Sequence, residues 1–104
     1  MFGEILDDLL TSPSTGPCIT ATRHFPARPA VWAPFPTSLE PRLAEALRAR
    51  SIEQLYEHQA RTWELVDKGR HVVVVTPTAS GKTLCYNLPA LQALLAQPDA
   101  RILY

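Results

Sequence analysis

The residues best suited to chemistry in this chain are Thr76-Pro77-Thr78-Ala79-Ser80-Gly81-Lys82-Thr83. Such a run can hold a nucleoside triphosphate. Backbone N–H groups of a tight loop converge on phosphate oxygens, and the start of a following helix adds the positive end of its dipole. Gly81 lets the backbone come close, where a Cβ would crowd the phosphate. Lys82 is expected to reach the β- and γ-phosphates, and the Thr83 hydroxyl to fill one coordination position of Mg2+. Thr78, Ala79, Ser80 and Gly81 complete the phosphate-binding set. Thr76 stands where the general pattern has its first glycine, and the plainer alternative is a Gly-Lys-Thr turn that binds nothing. Lys68 and Lys82 are the only lysines among ten basic residues. A lysine straight after Gly81, in a chain that otherwise chooses arginine, favours the phosphate reading.

The elements around the loop have the order that such a loop needs. His71-Val72-Val73-Val74-Val75 is an unbroken β-branched run and predicts a buried parallel strand. Leu84, Leu88, Leu91 and Leu95 recur at helical spacing after it, with Pro89 expected to break or kink that helix. Upstream, Leu39, Leu43, Ala44 and Leu47 predict a helix capped by Ser38, with Pro41 in its first turn. A further helix is expected from Glu57 to Lys68, closed by Gly69. Met1–Leu10 reads as a short amphipathic helix whose apolar face docks on the rest of the protein. Thr11–Pro17 is linker, Cys18–Phe25 a weak edge strand, and Pro26–Pro36 an extended strap anchored by Trp32 and Phe35. Arg101–Tyr104 reads as the opening of a second core strand, so the sequence is expected to be the front of a longer protein.

A second constellation precedes the loop by one helix and one strand: Leu55-Tyr56-Glu57-His58-Gln59. The Gln59 amide can donate and accept together, matching the N6 and N7 edge of adenine, and the Tyr56 ring can stack on the base. Together they would prefer ATP to GTP. The bland alternative makes Gln59 a solvated residue of a first helical turn and Tyr56 a core aromatic.

Composition sets outer bounds. The formal net charge is zero and 46% of residues are hydrophobic, which suits a core and gives no sign of a basic nucleic-acid-binding arm. Cys18 and Cys85 lack metal-ligand spacing, and His24, His58 and His71 form no ligand pattern with them; free thiols in a reducing compartment are expected. The acidic first residues are unlike a signal peptide, and no long apolar run follows, so a cytoplasmic protein without a membrane span is expected.

Leu55–Gln59, Thr76–Thr83 and Leu84-Cys85-Tyr86-Asn87-Leu88-Pro89 together resemble the opening of a DEAD/DEAH-box helicase of superfamily two. The nearest branch is that of the bacterial YprA/MrfA-type DNA helicases. The phosphate loop of that superfamily commonly opens with Ala or Thr, which accounts for Thr76; Arg50-Ser51-Ile52 departs from the Arg-Gly-Ile expected there. The resemblance covers roughly residues 25–104. It implies an α/β fold, an incomplete RecA-like P-loop domain over residues 38–104, preceded by the helix, linker and Pro-rich extension of residues 1–37. It also implies ATP and Mg2+ as cofactors and nucleic acid, DNA in that branch, as partner of the complete protein. Gln59 then takes the adenine role, and Lys82 and Thr83 the catalytic and metal roles. The Asp-Glu pair that completes such a site is absent from these residues, so the piece alone is expected to hydrolyse little or no ATP. Two rivals stay open. A P-loop kinase or transporter-type ATPase would have no use for Gln59, and a non-catalytic truncated remnant would fail to bind nucleotide.

Overall fold

In the computed structural model, which describes residues 1–78 and 80–104, four helices and one small sheet follow the chain. They are α1 (Phe2–Thr11), a 3-10 turn (Gly16–Cys18), β1 (Trp32–Ala33), α2 (Pro41–Ala49), β2 (Leu55–Tyr56), α3 (Glu57–Asp67) and α4 (Lys82–Ala96). The fold is that of part of an α/β domain. Among the described residues its only sheet is an antiparallel pair, with Trp32 opposite Tyr56 and Ala33 opposite Leu55.

The core forms where three amphipathic elements meet. Leu39, Ala44, Leu47, Leu55, Trp63 and Leu88 are buried together, with Phe35, Ile52 and Leu84 packed against them. Polar ties fix the geometry around this cluster. Gln92 of α4 accepts from the Glu40 N–H at 2.8 Å and donates to the Ser38 carbonyl at 2.8 Å. The Trp63 indole N–H donates to Ser38 Oγ at 2.9 Å. Ser38 is therefore a bridging residue rather than the expected cap. Glu40 caps α2 instead, accepting from Arg42 N at 3.0 Å, because Pro41 at the first helical position moves the cap to its immediate neighbour.

Helices α2 and α3 end in the same turn. Ile52 N bonds Leu47 O and Ser51 N bonds Arg48 O; Arg70 N bonds Leu65 O and Gly69 N bonds Val66 O. This paired closure puts its central residue in the left-handed region, at φ +71° for Gly69 and +62° for Ser51. The closing role expected of Gly69 is thus seen, and Ser51 adopts the backbone that a glycine would take more readily.

Several expectations fail for physical reasons. His71–Val75 is in no strand; Val73 and Val75 are 90% and 88% exposed. A strand needs a neighbour to receive its backbone N–H and C=O groups, and none lies beside this run among the described residues. Arg101–Tyr104 and Cys18–Phe25 likewise form no strand. Pro89 does not break α4, which runs on to Ala96; lacking an N–H, it leaves the Cys85 carbonyl without its helical donor. Helix α1 forms as read, but Phe2 and Ile5 stay exposed and no residue of it is buried. Projection of the N-terminal third raises the radius of gyration to 20.4 Å, against roughly 13 Å for a compact chain of this length.

Candidate nucleotide-binding site

Strand β2 runs straight into α3, and this junction places the upstream residues. Gln59 is buried, and both ends of its amide are engaged. Its Oε1 accepts from Tyr56 N at 2.9 Å, closing the first turn of α3, and its Nε2 donates to the Gly81 carbonyl at 2.9 Å. The segment around Gln59 and the phosphate loop are thereby in direct contact. Gly81 is the residue that allows it. Its φ is +78°, and a Cβ there would stand 2.6 Å from Gln59 Nε2. Its freedom from a side chain thus serves both the turn and the approach of α3.

Tyr56 pairs across the small sheet with Trp32, ring centroids 4.6 Å apart and planes 16° from parallel; His58 lies on Tyr56 at 5.7 Å and 7°. His58 Nε2 is 2.7 Å from the Ser80 carbonyl, an oxygen that can only accept, so that nitrogen carries the hydrogen. Thr62 Oγ1 donates to His58 O at 2.7 Å and steadies the same turn.

Lys82 begins α4, with its ammonium curled back into the loop. It donates to Thr76 O at 2.8 Å, Pro77 O at 2.9 Å and Thr76 Oγ1 at 3.1 Å, with Ser80 Oγ at 3.4 Å. The Thr76 and Ser80 hydroxyls bond each other. The side chain expected to reach outward for phosphate thus lies on the carbonyls of its own loop. Thr78 is exposed in the turn, Ser80 half-buried, and Thr83 exposed in the first turn of α4. Ala79, expected among the phosphate-binding residues, lies outside the described residues. A cavity of about 740 Å³ opens beside the loop, lined among others by Trp32, Arg50, Tyr56, Gln59, Gly81 and Thr83. Gln59, Tyr56, Gly81 and Thr83 are therefore gathered at one opening.

Trp32 and His58 were not singled out as site residues by the sequence. Trp32 was legible only as an anchor, because its pairing with Tyr56 spans the whole of α2. His58 carried a signal that was available: it adjoins Gln59 in the first turn of one helix. Among the described residues no group of three His, Cys, Asp or Glu could hold a metal, and no helix is long and apolar enough to cross a membrane.

A Gly-Lys-Thr run thus opens a helix and is tied through Gly81 to an upstream glutamine. Residues 56–104 match the DEAD/DEAH box helicase family, and the chain carries part of such a helicase domain, of the YprA/MrfA type. It is 49% identical over 77 residues to the ATP-dependent helicase YprA of Bacillus subtilis, covering 74% of this chain and 10% of YprA. It is 37% identical over 95 residues to the ATP-dependent helicase hrq1 of Schizosaccharomyces pombe, covering 88% of this chain and 9% of hrq1. The crystal structure of the DUF1998 helicase MrfA bound to DNA and AMPPNP superposes with a TM-score of 0.67 at 49% identity, over 71% of this chain and 10% of MrfA. The chain spans about a tenth of the length of these relatives.

Proposed function

We propose that these residues form the ATP-binding opening of a RecA-like lobe in a cytoplasmic, ATP-dependent DNA helicase. The observation that carries the reading is the bond from Gln59 Nε2 to the Gly81 carbonyl, which brings the glutamine beside Gly81 and Thr83 at one cavity; Lys82 does not line it. Support for DNA comes from the DNA-bound MrfA structure. The Val72–Val75 segment fits the RecA-like proposal. Val72 and Val74 are half-buried while Val73 and Val75 face outward, the alternation of a strand whose outer face awaits cover.

The residues present suit ATP with Mg2+, which supplies the phosphoanhydride bond and the cation that shields its charge. Lys82, on releasing Thr76 and Pro77, brings a full positive charge to the β- and γ-phosphates. The first N–H groups of α4 have no intrahelical acceptors and serve the same anion, alongside Thr78, Ala79, Ser80 and Gly81. Thr83 presents its exposed hydroxyl to Mg2+. Tyr56 borders the base, and Gln59 reads its edge by exchanging one of its two present bonds. Phosphoryl transfer to water depends on positioning and charge stabilisation, so Lys82 and Thr83 contribute catalysis by binding.

Calorimetric titration of the chain with ATP tests this. Lys82→Ala should weaken ATP binding by on the order of a hundredfold, as loss of a charge-assisted contact to a multiply charged ligand requires. Gln59→Ala should erase any preference for ATP over GTP. Equal ATP affinity in the wild type and Lys82→Ala overturns the assignment.

A further inference from the structure

A trans peptide unit holds its C=O antiparallel to the N–H of the next residue. A bond that fixes the direction of a carbonyl therefore fixes the following N–H in the opposite sense. Two consecutive carbonyls of the phosphate loop are held by two consecutive side chains of α3, and Gly81 O accepts from Leu84 N of α4 at 3.2 Å as well. His58 Nε2 holds Ser80 O at 2.7 Å, and Gln59 Nε2 holds Gly81 O at 2.9 Å. The N–H groups so aimed, away from α3, are those of Gly81 and Lys82, at the turn that starts α4.

We propose that His58 is a positioning residue for phosphate binding. With Gln59 it clamps the Ser80 and Gly81 carbonyls against α3, so that the Gly81 and Lys82 N–H groups are presented to the anion. This rests on the reading of the loop as a triphosphate site and names a residue that the reading did not include. His58 is built to hold one orientation. Its ring lies against Tyr56, and Tyr56 against Trp32, so the Pro-rich extension braces the clamp from outside the helix. Its backbone carbonyl is tied to Thr62 Oγ1 one turn on. A histidine that only filled space here would need no donor aimed at a loop carbonyl.

The role separates into phosphate and base components. Titrations of the chain with ATP and with adenosine read them apart. His58→Phe keeps a flat ring against Tyr56 and removes the donor; ATP should bind about tenfold more weakly while adenosine binding stays unchanged. His58→Gln, whose amide N–H can reach the same carbonyl, should recover ATP affinity to within about threefold. His58→Met has the length of glutamine without the donor and should behave as His58→Phe does, which keeps the test sharp if the Phe variant loses its helical circular dichroism. Three results overturn the proposal: ATP affinity unchanged or raised in His58→Phe and His58→Met, parallel loss of adenosine binding, or no recovery in His58→Gln. A wild-type chain that binds no ATP overturns the site reading itself, and this proposal with it. A wild type that binds ATP with His58→Met unaltered overturns this proposal alone.

Discussion

Leu55–Gln59 and His71–Val75 are five-residue segments that both lead toward the phosphate loop, and they fare differently. In the first, Leu55 is fully buried, Tyr56 pairs with Trp32, and the Gln59 amide is used at both ends. In the second, a more hydrophobic sequence lies without a ladder and two of its valines face water. The cause is where each finds its hydrogen-bond partners. A helix start closes its first turn with its own residues, as Gln59 does for Tyr56 N. A strand must borrow acceptors and donors from a neighbour, whatever its side chains. Apolar character alone does not order a segment.

The comparison breaks most clearly by core truncation. Leu55→Ala should cost about 2–5 kcal/mol in urea unfolding followed by the fluorescence of Trp32 and Trp63, whereas Val73→Ala should change stability by less than about 0.5 kcal/mol. Equal costs would mean that the valine run is packed in solution after all. Gly81→Ala is the next largest effect. The left-handed backbone costs about 1–2 kcal/mol with a Cβ, and the new methyl displaces Gln59 Nε2 from the Gly81 carbonyl. ATP affinity should fall with it, while hydrogen exchange across α2 stays as in the wild type.

The smallest effect lies on the solvent face of α3. Lys68 and Arg61 hold the Glu64 carboxyl below the usual carboxylate range by hydrogen bonds and charge, Lys68 contributing most. A lowered folded-state pKa stabilises above the unfolded value, about 4.3, and that contribution fades as pH falls below it. Because Glu64 is exposed, Glu64→Gln should shift the melting temperature only slightly at neutral pH and low salt, and by less still as the pH is lowered to 3. A larger shift at pH 3 than at pH 7 would contradict the sign.

The sequence was legible wherever the determinants were local. Spacing of Leu43, Ala44 and Leu47 found α2, the Leu84–Leu95 periodicity found α4, and Gly69 marked the end of α3. The loop was legible as a motif, with Gly81 and Lys82 in it, but the curl of Lys82 onto Thr76 and Pro77 was not. That curl depends on carbonyls whose direction no residue type announces. The valine run forms no strand here because its pattern describes side chains, while pairing depends on backbone partners. Trp32 and His58 escaped because stacking across β1 and β2 joins residues far apart in sequence.

The inward fold of the Lys82 side chain sets a threshold for what can occupy the loop. Its ammonium already rests on two carbonyls and a hydroxyl within 3.1 Å, so a newcomer must outbid neutral dipoles to draw it out. A singly charged anion such as chloride offers little advantage over them. A polyphosphate, with several charges on adjoining oxygens, offers a great deal. If the loop takes ATP as proposed, the lysine discriminates by charge before any base is read: ordinary salt leaves it on the loop carbonyls, and dense negative charge draws it out.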